Sequence, residues 1–500
     1  MLIFKGRPIG GAAGPYFFIL PNLGWNDYSF VTLFRSFYVD SNGQELFVGE
    51  LKVGFAGQDE QQRTADFIPS EFSSLETGFF SLGQSPEYYE TLEKNLSNNV
   101  LTAYLVALKD VVYDNRLFDL AYREASFVQS LTRFVSLSSI KGHFRGILHA
   151  PGALRSYGLK FTEEATGVEM DFSVFPDSRP PSNIHVLIGR NGVGKSYILK
   201  RVANSIDKND GAVTNRDRTT VRVEDFGLLL YFSLGVFGNP LDDIDFNDSE
   251  IDKYKTKKKY IGIYDQKTRQ LKSVTGGMAV EFAESLKNCL LGSEVKKELW
   301  LSAVRSLSVD VNFQELNISS LLEELDENRL IVAARELFVS LSSGHAAVIY
   351  YVTSVVELVE DRTICLFDEP ENHLHPPLLS TFVRVLSELL AVKNGLAIIA
   401  THSPVIVQEA PRSCVWKVNR LAGGLEVSRP CIETFGESVG EITTEVFNLD
   451  VRNSGFYKLL ANDSKNFRSY DDLLEKYNRA IGLEGRAVVS SSMRKGRYHG

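Results

Sequence analysis

The chain has 500 residues, length for roughly two to four domains, with 44% hydrophobic and 23% charged residues, as in an ordinary globular protein. Its formal net charge of −9 excludes a polycation that coats nucleic acid, so any such contact needs a local basic patch. Four cysteines (Cys289, Cys365, Cys414, Cys431) lack metal-ligand or CxxC spacing and read as buried thiols in a reducing compartment.

Lys5, Arg7 and Pro8 break the start before any sustained apolar run. The greasiest later stretch, 346–359, contains Thr353, Ser354 and Glu357 and is too short to cross a bilayer. The expectation is a cytoplasmic protein with no membrane contact. Residues 16–20, 28–39 and 45–55 alternate as strands do, separated by turn clusters at Pro21-Asn22, Asn26-Asp27 and Asp40-Ser41-Asn42-Gly43. They predict an antiparallel sheet. Helical spacing comes next over 85–96 and 100–112, and strand-like runs at 159–163 and 168–175 flank Ala165-Thr166-Gly167. The Pro-rich break 176–181 then delivers the chain to Ile184-His185-Val186-Leu187-Ile188.

That apolar run reads as a buried parallel strand and leads into Gly189-Arg190-Asn191-Gly192-Val193-Gly194-Lys195-Ser196, with a helix after it. Two glycines bracketing four residues, then Lys and Ser, form a phosphate-binding pattern. A strand turning sharply into a helix aims backbone N–H groups at one spot, at the positive end of the helix dipole. Gly189, Asn191, Gly192 and Gly194 shape the loop around phosphates, Lys195 adds a point charge, and Ser196 is placed to ligate Mg²⁺. The predicted ligand is ATP with Mg²⁺.

A second buried strand is expected within 227–237. The acidic insertion 241–252 and the basic run 253–259 come next; that run reads as a solvated face, with phosphate-backbone contact as the alternative. Helical segments fill 279–338, without heptads long enough for a coiled-coil arm. Leu341-Ser342-Ser343-Gly344-His345 opens an apolar helix and offers a second anion-binding concavity. An apolar strand over 363–367 ends in Asp368, placed to hold Mg²⁺, and Glu369, placed to polarise the attacking water. Another strand, 396–400, ends in Thr401-His402-Ser403-Pro404. His402 stands at a strand's carboxyl end, where it reads as a γ-phosphate sensor.

Phosphate loop, LSSGH, LFDEP and THSP in this order resemble an ABC-type ATPase head: α/β, with a mixed parallel sheet, an antiparallel β lobe and helical insertions. Glu371-Asn372-His373-Leu374-His375-Pro376 and THSP are similar to its soluble AAA-like branch. That branch includes Septu-type antiphage defence ATPases, the ATPase parts of the overcoming-lysogenization-defect nucleases, and RecF/SMC-like heads. The resemblance implies a slow ATP hydrolase in which Lys195, Glu369 and His402 serve catalysis. Ser342, Ser343 and Gly344 would meet the nucleotide held by a second subunit, with Glu371 and His373 near that interface. It implies His373 and His375 are loop residues rather than a metal pair. The signature departs from the transporter pattern at Ser343 and His345. No glutamine occurs between Tyr197 and Asp265, leaving Ser233 as the stand-in for the usual ligand.

The expected organisation is a β-rich lobe over 1–183, an ATPase core over 184–411 with a helical insertion at 240–340, and a C-terminal partner-docking segment over 412–500. Arg494, Lys495 and Arg497 read as a disordered basic tail, and Asn462-Asp463 as a polar loop. The segment 436–463 resembles the stretch after THSP in Septu-like ATPases encoded beside an HNH nuclease. The resemblance therefore implies a homodimer or higher homo-oligomer working with a separate nuclease on nucleic acid in antiviral defence. A RecF/SMC-like repair ATPase and a non-turning-over ATP-bound scaffold are the alternatives. The missing glutamine, the large N-terminal insertion and the LHP segment argue against a transporter subunit.

Overall fold

The computed structural model describes residues 2–8, 14–22, 24, 30–135, 139–149, 156–176, 178–206, 212–215, 226–235, 239–246, 256–314, 326–372, 374–421, 424–452, 455–467 and 469–497. His373, Lys253, Lys255 and the acidic stretch 247–252 lie outside these residues.

The apolar runs Ile184–Ile188, Leu228–Ser233, Ile364–Asp368 and Leu396–Thr401 are strands buried at nearly every position, as strands covered on both faces must be. They pair in parallel inside a seven-stranded sheet. Its order is Lys257–Gly262, Leu228–Ser233, Ile364–Asp368, Leu396–Thr401, Ile184–Ile188, Val415–Leu421 and Gly424–Ser428, the last strand antiparallel. The register sets Ser233 beside Asp368, Asp368 beside Ala400 and Thr401 beside Ile188. One crevice at the carboxyl edge thus receives the phosphate loop, the acidic strand end and the Thr401-His402 turn, as the rule for open parallel sheets requires.

Helices cover both faces. Ala279–Gly292, Glu294–Leu307, Glu327–Ser340, Ser343–Leu358 and Pro376–Val392 pack on one side through Phe282, Trp300, Phe338, Tyr351 and Phe382. Buried Trp300 donates its indole N–H to Thr353 Oγ1 at 2.9 Å, so its polar atom is satisfied inside the core. The other side holds the helix Lys195–Ser205 and the hairpin Tyr157–Glu163 with Val168–Val174.

Several sequence expectations change here. The N-terminal strands divide between two sheets. The hairpin and Val213–Asn215 pack against the core sheet, whereas Ile3–Lys5 to Phe79–Gly83 build a separate six-stranded sheet with its own apolar cluster. In that second sheet Gly49 (φ 142°) opposes a register shift between Ser36 and Phe37, and a Cβ there would stand 3.2 Å from Tyr88. A glycine at a bulge admits this close approach.

The basic run is not only a solvated face. Its residues Lys257–Lys259 begin an edge strand beside Leu228–Ser233. Lysine is a common guard on edges, since its charge opposes pairing with another chain. The core sheet also continues past residue 411, through Val415–Leu421 and Gly424–Ser428.

The C-terminal tail is helical rather than disordered. Leu483–Arg497 forms one helix, and Val489 joins Leu460, Leu473, Leu474 and Ile481 in a small core. Asn462 and Asp463 likewise end the helix Gly455–Asp463 instead of lying in a loop. There Asp463 accepts from Lys476 Nζ at 2.9 Å and Tyr477 OH at 2.8 Å. Among the described residues no helix is long and apolar enough to cross a membrane.

Candidate nucleotide site

The phosphate loop takes its shape from its glycines. Gly192 (φ 79°) and Gly194 (φ 112°) lie in the left-handed region that L side chains avoid. At Gly189 a Cβ would stand 2.2 Å from the Val418 carbonyl oxygen, so the neighbouring strand forbids any side chain. Nothing lies within 4 Å of where a Gly192 Cβ would be, and Asn191 is exposed. The loop is open on that side.

Buried Lys195 donates from Nζ to the Gly189 and Arg190 carbonyls, each at 2.9 Å. Burial pulls its ammonium below the usual lysine range, against the opposing pull of Glu369, Glu371 and Asp368. Ser196 donates from Oγ to Asp368 Oδ1 at 2.8 Å, and Tyr231 donates its hydroxyl to Oδ2 at 3.1 Å. Burial raises the Asp368 carboxyl above the ordinary aspartate range; the Ser196 and Tyr231 bonds lower it, and Glu369 raises it.

Glu369 adopts a left-handed backbone (φ 49°), with its N–H on the Ala400 carbonyl at 2.9 Å. For a residue with a Cβ this costs about 1 kcal/mol. The turn directs the chain away from the strand immediately after Asp368. Glu371 comes two residues later, its side chain 6% exposed. Its Oε1 accepts from Thr401 Oγ1 at 2.5 Å and from the His402 backbone N–H at 2.8 Å, and lies 3.1 Å from His402 Nδ1. Its Oε2 is buried without a hydrogen-bond partner among the described residues.

The structure therefore brings together Gly189, Asn191, Gly192, Gly194, Lys195, Ser196, Asp368, Glu369 and His402. Ser233 ends its strand beside Asp368, as the register requires. Ser342, Ser343 and Gly344 are placed differently. Ser342 caps the helix Ser343–Leu358, with its Oγ 2.5 Å from His345 Nδ1. Among the described residues no hydrogen bond joins these three to the phosphate loop, and Ser342 and Ser343 are exposed.

Two contributors are not evident from sequence. Tyr231 reads there as one aromatic in a greasy strand. Its signal was the period-two spacing with Ser233, which puts both on the same face. Glu371, which the resemblance puts near a subunit interface, has a buried side chain that clamps the His402 turn.

These residues fit a magnesium nucleotide. An open glycine cradle, a lysine at its base and a Ser–Asp oxygen pair are what phosphates and a hard cation take. Ser196 and Asp368 would hold the Mg²⁺.

Comparison with known proteins agrees. Residues 295–408 match the family model described as "AAA domain, putative AbiEii toxin, Type IV TA system". Fold, site and this match support a phosphate-loop ATPase of the ABC/AAA type. More closely, the chain is 39% identical over 499 residues to protein ea59 of Escherichia phage lambda, spanning 94% of this chain and 93% of that protein. It belongs to the same family as that phage protein.

Among solved structures it is similar to an ATP-binding cassette of an ABC transporter in its ADP conformation. That match has 12% identity and a TM-score of 0.28, and covers 59% of this chain and 96% of the other. It is also similar to UvrA2 from Deinococcus radiodurans, with 13% identity and a TM-score of 0.29, covering 56% of this chain and 38% of the other.

Proposed function

We propose that two copies of this chain close around ATP, that Glu369-assisted hydrolysis reopens them, and that the cycle regulates a separately encoded nuclease in antiviral defence. The observation that carries the two-head reading is the exposed placement of Ser342 and Ser343: Ser342 is hydrogen-bonded to His345, and among the described residues neither serine is hydrogen-bonded to the chain's own phosphate loop. A site assembled from one copy's Lys195 and the other's Ser342 and Gly344 is complete only in the dimer.

Within it Glu369 takes a proton from the water that attacks the terminal phosphorus as the bond to the leaving diphosphate breaks. Mg²⁺, when bound, offsets charge on the phosphates. The partner-docking part of the proposal draws support from the C-terminal helices, which expose Phe456, Leu459 and Leu483 to solvent.

Mixed variants test the two-head site. Lys195→Ala and Ser342→Arg, each inactive alone, regain phosphate release when combined, because a mixed dimer holds one intact composite site. Absence of rescue, with both variants folded, counts against a shared site. The effector reading is tested separately by sequencing the neighbouring genes and co-purifying the chain with any HNH nuclease found there, with and without ATP and Mg²⁺; a neighbouring nuclease that never co-purifies counts against it.

A further inference from the structure

Asp310, His345 and His375 come from three separate parts of the chain and converge. Asp310 lies just past the helix Glu294–Leu307, its N–H on the Leu307 carbonyl at 3.0 Å. His345 lies in the first turn of Ser343–Leu358, and His375 caps Pro376–Val392. His345 Nε2 is 3.0 Å from Asp310 Oδ1, and His375 Nε2 is 3.1 Å from Oδ2. One ligand atom from each residue lies within 4.8 Å of the other two.

We propose that Asp310, His345 and His375 form a zinc-type divalent metal site that ties the signature turn to the helix after the acidic strand.

Tetrahedral zinc with bonds near 2.0–2.1 Å sets ligand atoms about 3.3 Å apart; each imidazole nitrogen lies near that distance from its own oxygen of the one carboxylate, Oδ1 for His345 and Oδ2 for His375. Two imidazoles and a carboxylate suit such an ion and leave a fourth position for water. The surroundings order His345 as a ligand's neighbours do. Its Nδ1 faces Ser342 Oγ at 2.5 Å, and its ring lies 5.2 Å from that of Phe313, which is 1% exposed. With the proton on Nδ1 donated to Ser342, the Nε2 lone pair is free for a cation. At His375 the ring accepts from the Leu378 N–H at a long 3.4 Å. Metal binding moves the proton to Nδ1 and gives that contact up. The alternative is an ion-free cluster in which Asp310 accepts from both imidazoles.

Ser342 connects the proposed ion to the nucleotide reading, but metal binding itself does not depend on that reading. The test uses the full chain without nucleotide. Zinc is titrated in competition with a chromophoric chelator, and Co²⁺ serves as the spectroscopic probe. The expected result is one equivalent bound with a tetrahedral Co²⁺ spectrum. Asp310→Asn and the half-exposed His375→Ala each weaken binding at least tenfold, with circular dichroism unchanged. Cys431→Ser, which removes the exposed thiol, leaves it unaltered. The proposal is overturned if no stoichiometric zinc binds, if folded His375→Ala binds as tightly as wild type, or if Cys431→Ser abolishes binding.

Discussion

Glu371 Oε1 stands 3.1 Å from His402 Nδ1, whereas the nearest Glu369 oxygen is 3.9 Å from that nitrogen. The buried carboxylate, rather than the partly exposed one, therefore orients the ring. It also holds the His402 N–H and the Thr401 hydroxyl, so one side chain fixes the whole turn. Glu371→Ala removes three contacts inside the protein, each worth on the order of 1 kcal/mol. The expected outcome is a loss of roughly 2–3 kcal/mol in a urea titration, together with phosphate release at least tenfold slower. Glu371→Gln keeps an acceptor oxygen and recovers most of the stability. If Glu371→Ala hydrolyses ATP at the wild-type rate, His402 does not need its buried partner.

Glu369 has the opposite environment, partly exposed at the crevice and on a strained backbone. Its replacement should spare the fold and strike the chemistry. For Glu369→Gln we expect ATP binding retained, phosphate release reduced about a hundredfold or more, and a dimer that persists in ATP and Mg²⁺. Lys195→Ala should instead weaken nucleotide binding. Light scattering with and without ATP-Mg²⁺ reads the dimer, and a phosphate-release assay reads the hydrolysis. A mutant that dissociates as wild type does would remove Glu369 from the switch.

The sequence made the centre of the fold legible because its signals are local. A five-residue apolar run before GRNGVGKS, and others before DE and THS, identify strands whose ends must carry the site. What stayed hidden depends on partners distant in sequence. Lys257–Lys259 look polar until the strand beside them is known. Tyr231 becomes a site residue only through register with Ile364–Asp368. The helix bearing Arg494, Lys495 and Arg497 forms because Val489 finds Leu460 and Leu473, contacts that basic composition cannot announce. Glu371 was visible as a motif letter, but its burial was not.

Tyr231 offers a direct test of that register. Its hydroxyl and that of Ser196 are the two donors that restrain the raised Asp368 carboxyl. Tyr231→Phe removes one, so the carboxyl rises further. Since Mg²⁺ needs the carboxylate, the acid limb of the ATPase pH profile should move to higher pH, with little change at alkaline pH. A loss that is uniform across pH would mean Tyr231 acts through packing instead.

His185 carries the last prediction, one of stability rather than activity. It is interior on Ile184–Ile188, its Nε2 3.1 Å from the Ser173 carbonyl and its Nδ1 without a hydrogen-bond partner among the described residues. Burial, the leading cause, lowers its pKa from 6.5 to about 4. The folded state therefore holds the neutral ring, while the unfolded chain takes up a proton once pH drops below 6.5. Stability contributed by this residue is present above pH 6.5 and is lost as pH falls toward 4. From the linkage of about 1.4 kcal/mol per pH unit, the loss is on the order of 3 kcal/mol. Urea midpoints at pH 7.5, 5.5 and 4.5 should fall steeply for wild type and more gently for His185→Phe, whose ring would stay apolar beside Phe172. Equal slopes for the two proteins would place the acid sensitivity elsewhere in the chain.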